Sequence, residues 1–231
     1  MKHLIKTADS SSLAAVNYNR VILNTTTDNV TIDYSYVDLG LPSGLKWATR
    51  NIGATSETDY GDYFMWGSTT PNTASQCNWV NAPFNNGLDS YNEEYFNAHK
   101  SEWLDDKYNL KPEYDAATQI MGDEWRMPTS SDFSELLRNT TNEWVTDYNG
   151  SSINGWKFIS KTNGNSIFIP ASGSRLESET HDRGSYGNYW TSSLDSSLSS
   201  YGLGLNFSSN DIQPPYDQFR FIGMSVRGVR A

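Results

Sequence analysis

All 17 glycines, 8 prolines and 8 tryptophans of this 231-residue chain lie beyond residue 35. This partition constrains the fold more than any other feature of the sequence. From Tyr36 onward Gly, Trp and Tyr recur so closely that few long hydrophobic periods can run, which predicts short elements, many tight turns and aromatic packing. Residues 1–35 lack those punctuating residues and read as a separate arm. Within it the apolar Val21–Leu23 and the alternating Val30–Tyr34 flank the wholly polar Asn24–Asn29, a pattern that predicts two short strands joined by a turn. An isolated hairpin is marginal in water. The arm is therefore expected to lean on the main domain, on other copies of itself or on a partner.

Charge narrows the possible partners. Lys and Arg total 17 against 27 Asp and Glu, a net charge of -10, and capture of nucleic acid or anionic lipid needs the opposite surplus. Neither nucleic acid nor a membrane surface is expected as a partner. Cys77 is the only cysteine, so no internal disulfide can form. The first residues, Met1–Asp9, lack the apolar core of a secretory signal, no cysteine lies near the start to take a lipid, and no run approaches the roughly 20 apolar residues of a membrane helix. These readings predict synthesis and folding in a cytoplasm.

Helices are expected at three places. Pro112–Gly122 has Pro and acids at its start and Gly at its end. Thr129–Arg138 opens on a capping residue and spaces Phe133, Leu136 and Leu137 onto one face. A shorter helix is expected from Asn92 to Leu104. Strands are expected at Trp156–Ile159, Ser166–Ile169, Tyr189–Ser192, Gly202–Phe207 and Met224–Val229.

No catalytic constellation stands out. His3, His99 and His181 fall in unrelated segments without metal-ligand spacing, and Cys77 has no evident activating neighbour. No enzymatic activity, cofactor or metal is expected. The acidic, Asn-rich Asn85–Glu93 offers oxygens of the kind calcium takes, but its spacing matches no calcium loop, and a solvated surface loop is the preferred reading. Trp47, Trp66, Trp125 and Trp190 sit beside Gly and apolar residues and are read as core. Arg126, Arg220 and Arg227 are read as structural, paired with a carboxylate, such as Asp62 or Asp123, or with backbone carbonyls.

Ser185–Gln218 contains no Lys, Arg, Glu or His but has Tyr186, Tyr189, Tyr201 and Tyr216 among many Ser, Asn, Gly and Asp. That is the composition of adaptable binding surfaces, in which tyrosine rings supply area and small polar groups supply hydrogen bonds. Its candidate ligand-binding residues are Tyr186, Asn188, Asp195, Tyr201, Asn206, Asn210, Asp211, Tyr216 and Asp217, all expected to be exposed. Strand alternation is expected to turn Leu203, Leu205 and Phe207 inward.

An ordered set of motifs carries a resemblance: Tyr36–Thr49 (YVDLGLPSGLKWAT), Asn51–Ala54 (NIGA), Tyr60–Gly67 (YGDYFMWG), Asp115–Thr118 (DAAT), Trp125–Thr129 (WRMPT), Ile169–Gly173 (IPASG), Tyr189–Ser193 (YWTSS) and Gly223–Arg227 (GMSVR). Over residues 36–230 the chain resembles the Fibrobacter succinogenes major paralogous domain, a family abundant in gut Bacteroidota and their phages. The resemblance implies a variant of the C-type lectin fold, related in shape to the formylglycine-generating enzymes. The expected fold is thus α+β, with short twisted antiparallel strands, two or three helices and long loops at 36–231, and a β-rich attachment or oligomerisation arm at 1–35. Those enzymes depend on cysteines in their C-terminal part, and this chain has none there. Many members carry cysteines where Arg50 stands and near Asn139–Thr141, and their absence here suits a protein that never meets an oxidising export route. The resemblance also implies that the C-terminal stretch forms a ligand-binding face. The expected function is that of a non-enzymatic bacteriophage head-fibre or tail-fibre protein, assembled as a homotrimer in the host cytoplasm, that binds a host-surface glycan or protein and contacts other virion proteins through residues 1–35. The alternatives are a secreted or surface adhesin of a gut bacterium and a ligand-free capsid decoration protein.

Overall fold

Side chains that satisfy the first free N–H groups of a helix fix where the helices begin. The computed structural model describes residues 21–23, 30–32 and 34–231, and the chain divides into two units, Met1–Ser35 and Tyr36–Ala231. In the first, β1 (Val21–Leu23) pairs antiparallel with β2 (Val30–Ile32), with Val21 opposite Ile32. The expected turn at Asn24–Asn29 lies outside the described residues.

The second unit mixes a few helices with several small antiparallel sheets. Its first strands are β3 (Tyr36–Asp38) and β4 (Lys46–Ala48). Helix α1 (Glu93–Trp103) starts where Asn92 accepts a bond from the Tyr95 N–H. The expected Pro112–Gly122 helix is split: a 3-10 turn covers Pro112–Tyr114, and α2 runs only over Ala116–Met121. The cause is Asp115, whose carboxylate accepts from the N–H groups of Thr118 and Met127 at 2.8–3.0 Å and so restarts the helix from within. Gly122, at φ +100°, ends it in a conformation that side-chain-bearing residues resist. Helix α3 (Ser130–Asn139) carries a reciprocal cap between Thr129 and Asp132 and buries Phe133 and Leu136.

The remaining strands are β5 (Thr140–Val145), β6 (Gly155–Ser160), β7 (Ser166–Pro170), β8 (Ser174–Leu176), β9 (Glu179–His181), β10 (Gly187–Leu194), β11 (Tyr201–Phe207), β12 (Ile212–Phe219) and β13 (Val229–Arg230). Three sheets have three strands each, in the orders β13-β4-β3, β5-β6-β7 and β10-β11-β12. The expected strand at Met224–Val229 does not form as one ladder. Met224 pairs with Phe64, Ser225 with Tyr189, and only Val229 joins β4. This segment threads between several elements and serves each in turn.

One cluster unites the three sheets and α3. It contains Leu39, Trp47, Phe133, Phe158, Ile169, Tyr189, Leu205 and Phe207, all fully buried. The Trp47 and Phe133 rings meet at 5.0 Å. Trp66, Trp125 and Trp190 are buried as expected. The arginines pair with a carboxylate or with backbone carbonyls, as expected, but neither Asp62 nor Asp123 is among the partners. Arg126, partly exposed, pairs with Asp132 at 2.7 Å. Arg220 is fully buried, donates to the carbonyls of Ser199 and Pro83, and has the rings of Phe96, Tyr91, Trp66 and Trp79 within 4.3–5.8 Å. Burial lowers its pKa to about 10, and the ring quadrupoles replace part of the lost hydration. Arg227, also fully buried, bonds Asn51, the Ala48 carbonyl and the Phe168 carbonyl.

Candidate functional site

The β10-β11-β12 sheet separates the candidate residues into two groups. Gly187 lies opposite Phe207 and Asn188 opposite Asn206 at one end, whereas Leu194 lies opposite Gly202 and Tyr201 opposite Phe219 at the other. Six residue steps along β11 amount to about 20 Å. Tyr186, Asn188, Asn206, Asn210 and Asp211 therefore belong to one end, and Asp195 and Tyr201 to the other, with Tyr216 and Asp217 between them on the edge strand.

Exposure also departs from expectation. Tyr186, Asn210, Asp211 and Asp217 are exposed, while Asp195, Tyr201, Asn206 and Tyr216 are partly buried. Asn188 is buried within β10, where its Oδ1 accepts from the Asn206 amide at 2.7 Å. It is a cross-strand brace and not a surface group. Leu205 and Phe207 point inward, but Leu203 is half-exposed. A register shift between Gly204 and Asn206 changes the parity of β11, so side chains before and after it cannot share one alternation.

At the first end, Tyr186 and Asn210 join residues of another sheet around a cleft of about 360 Å3, lined also by Trp144, Asn154, Gly184, Ser185, Ser208 and Ser209. Trp144 stands opposite Trp156 in the β5–β6 ladder, and its ring meets those of Trp156 and Phe207 at 6.2 and 6.4 Å, both near-perpendicular. The Trp156 indole donates to the Ser208 carbonyl at 2.8 Å and so ties β6 to the β11–β12 turn. Gly187 permits a close approach: a Cβ there would lie 1.9 Å from the Phe207 ring. That approach leaves room for the buried Phe207 ring against β10.

The walls of the cleft are held by backbone bonds. Gly184 N–H donates to Ala171 O, Gly173 N–H to Tyr186 O, and Ser208 N–H to Asp211 O, all at 2.7–2.9 Å. The Asn154 amide donates to the Gly184 carbonyl at 3.0 Å. The side chains at the mouth are different. Among the described residues, the Ser185, Tyr186 and Ser209 hydroxyls, the Asn210 amide and the Trp144 indole N–H have no hydrogen-bond partner in the protein. A fixed frame thus presents unengaged polar groups, the arrangement that lowers the ordering cost of binding.

A larger cleft of about 610 Å3 lies between the Asp105–Pro112 loop, the start of α3 and the end of β10. Its polar groups are mostly committed to the fold. Asp105 accepts from Lys107 N–H and Asn109 N–H, each at 2.8 Å. Burial raises its carboxyl, but these bonds outweigh that effect and hold it below the ordinary value. Ser193 bonds Asn109, Arg126 bonds Asp132, and the buried Asp115 caps α2. This cleft reads as the seam of a loop.

For chemistry the described residues offer little. None of their Ser, Thr or Cys side chains hydrogen-bonds a histidine, and His99 Nδ1 lies 2.8 Å from the Tyr95 carbonyl in its own helix. No three of their His, Cys, Asp or Glu side chains cluster as metal ligands. His3 lies outside the described residues. In the Asn85–Glu93 loop the Asn85 amide is buried and donates to the carbonyls of Trp79, Leu88 and Ser90 at 2.9–3.0 Å, so it organises the loop instead of facing a ligand.

Sequence reasoning missed Trp144 and Asn154. Trp144 sits in the polar strand Thr140–Val145, where a lone large aromatic among exposed residues was the available signal. Comparison with protein-family models, with curated proteins and with solved structures found no match.

Proposed function

We propose that the Tyr36–Ala231 unit is a non-enzymatic recognition module of a bacteriophage head or tail fibre, which binds a host-surface glycan or protein. In this reading the unit is a variant of the C-type lectin fold, residues 1–35 attach it to the virion, and the assembly is a homotrimer. The observation that carries the reading is the contrast between the two clefts. In one most of the polar side chains, among them Asp105, Asn109, Asp115, Arg126, Asp132 and Ser193, are bonded within the fold, and in the other a hydrogen-bonded backbone frame holds out Ser185, Tyr186, Ser209 and Asn210 unengaged.

The test is attachment of the labelled full-length protein to intact cells from a panel of gut Bacteroidota. Saturable attachment to some strains and not others is the expected result. Uniform absence of attachment, with a correctly folded protein, overturns the reading in favour of a ligand-free decoration protein. Deleting residues 1–35 should leave a folded monomer by light scattering; an unchanged oligomer would remove the arm from the assembly.

A further inference from the structure

We propose that the cleft between Trp144 and Tyr186 binds a short, uncharged, hydroxyl-rich saccharide, and does so without a metal ion. This rests on the recognition reading above and names its ligand class.

The lining decides among ligand classes. No Asp, Glu, Lys, Arg or His lines the cleft, so neither an anion nor a cation would find a counter-charge there. An anionic ligand would also approach against the field of a chain with net charge -10. An apolar ligand would bury the Ser185, Ser209, Asn154 and Asn210 side chains and strip their water without replacing it, which is costly. A neutral polyol fits, because hydroxyl and amide side chains both donate and accept, as sugar hydroxyls do.

The aromatic residues supply the rest. Trp144 is half-buried, its two ring neighbours meet it near-perpendicular, and no described ring stacks parallel on it. Tyr186 is 42% exposed across the cleft. Rings that present both an apolar body and a polar tip suit the mixed surface of a sugar. The volume of about 360 Å3 lies near the lower end of the roughly 300–1,000 Å3 typical of small-ligand sites, which fits a short saccharide.

A neutral peptide is the competing occupant. Peptides commonly bind by adding a strand to a sheet edge; the edge strand β12 resists this because Pro214 and Pro215 offer no N–H, while β5, which carries Trp144, is also an edge, so neutral peptides are included among the probes. Without a carboxylate in the lining, calcium has no anionic ligand, so recognition is expected to survive chelation.

The experiment is an array of uncharged oligosaccharides, with sialylated and sulfated saccharides and neutral peptides as comparison probes, read with the full-length protein. Retention of one or more uncharged saccharides, unchanged by EDTA, is expected. Ser209→Arg, an exposed turn position, fills the mouth without touching the core and should weaken that binding about tenfold or more, as should Trp144→Ala. Trp144→Phe should retain part of it. Retention of anionic saccharides or peptides alone, or of nothing, overturns the proposal, as does parental binding by Ser209→Arg. A protein that attaches to cells but retains no uncharged saccharide overturns this inference and leaves the recognition reading standing. A protein that retains a neutral saccharide at this cleft but attaches to no cell keeps this inference and the recognition role, and overturns only the host-surface assignment.

Discussion

The Nε–H of Arg227 donates to Asn51 Oδ1 at 2.8 Å, joining residues 176 apart in sequence inside a fully buried site. Asn51 in turn donates to the Tyr60 carbonyl and the Tyr189 hydroxyl, and Tyr189 donates to Pro170 O at 2.7 Å. One chain of polar groups thus links the start of the second unit, β7, β10 and the C-terminal segment. Burial lowers the Arg227 pKa to about 10 and raises that of Tyr189 to about 12. Both shifts follow from loss of water on burial, which the hydrogen bonds of the network offset in part.

Removing one member leaves the others buried without partners, which costs more than the bond itself contributes. Asn51→Ala should therefore lower stability by about 3 kcal/mol or more in urea unfolding. A loss below about 1 kcal/mol would mean that water enters and replaces the amide.

Trp190 and Trp125 should behave as core. Trp190 is completely buried, with its indole N–H on the Phe64 carbonyl at 2.8 Å, and Trp125 is 5% exposed. Truncating either to Ala is expected to cost about 3–5 kcal/mol by thermal or denaturant melting. A variant of normal stability that no longer attaches to cells would reassign that ring to recognition.

Cys77 gives a chemical readout of folding. Its thiol is buried, lies 3.3 Å from the Thr73 carbonyl, and is pushed up to about 11 by burial. The unfolded thiol ionises first, near 9.0, so this group's contribution to stability is complete below about pH 9 and is lost as pH rises through about 11. Iodoacetamide at pH 8 should label native protein far more slowly than urea-unfolded protein, and dithiothreitol should leave the melting temperature unchanged. Equal labelling rates would show that the site opens freely.

What could be read from the sequence was local. Thr129 and Asn92 announce α3 and α1 because a cap is a contact between near neighbours. The division of the Pro112–Gly122 helix was missed although its cap, Asp115 on the Thr118 N–H, is local; what could not be read was the hold of the same carboxylate on Met127, twelve residues away. The Met224–Val229 segment has a strand's composition but pairs with different partners at successive residues, which no periodicity can express. Half of the cleft was legible in the composition of Ser185–Gln218. The other half was not, since Trp144 arrives from β5 of a different sheet and Asn154 from the connection that follows it.

The arrangement of the sheet predicts which tyrosines matter for recognition. Tyr201 stacks on Phe219 at 4.4 Å, and Phe219 in turn lies against Phe221 at 5.6 Å. Tyr201 is thus part of an aromatic row at the far end of β11, and Tyr216 is partly buried on the edge strand. Tyr201→Ala with Tyr216→Ala should cost about 1–2 kcal/mol in stability through lost ring packing, while attachment to cells stays near that of the parent. Tyr186→Ala with Asn210→Ala removes two exposed, unengaged groups and should leave the melting curve within about 0.5 kcal/mol. Its attachment should fall by about thirtyfold, the loss expected when a central anchor of about 2 kcal/mol is removed. The two double variants, measured side by side in melting and in cell attachment, should separate cleanly. Loss of attachment with the Tyr201 pair and retention with the Tyr186 pair would move the binding face to the opposite end of the sheet.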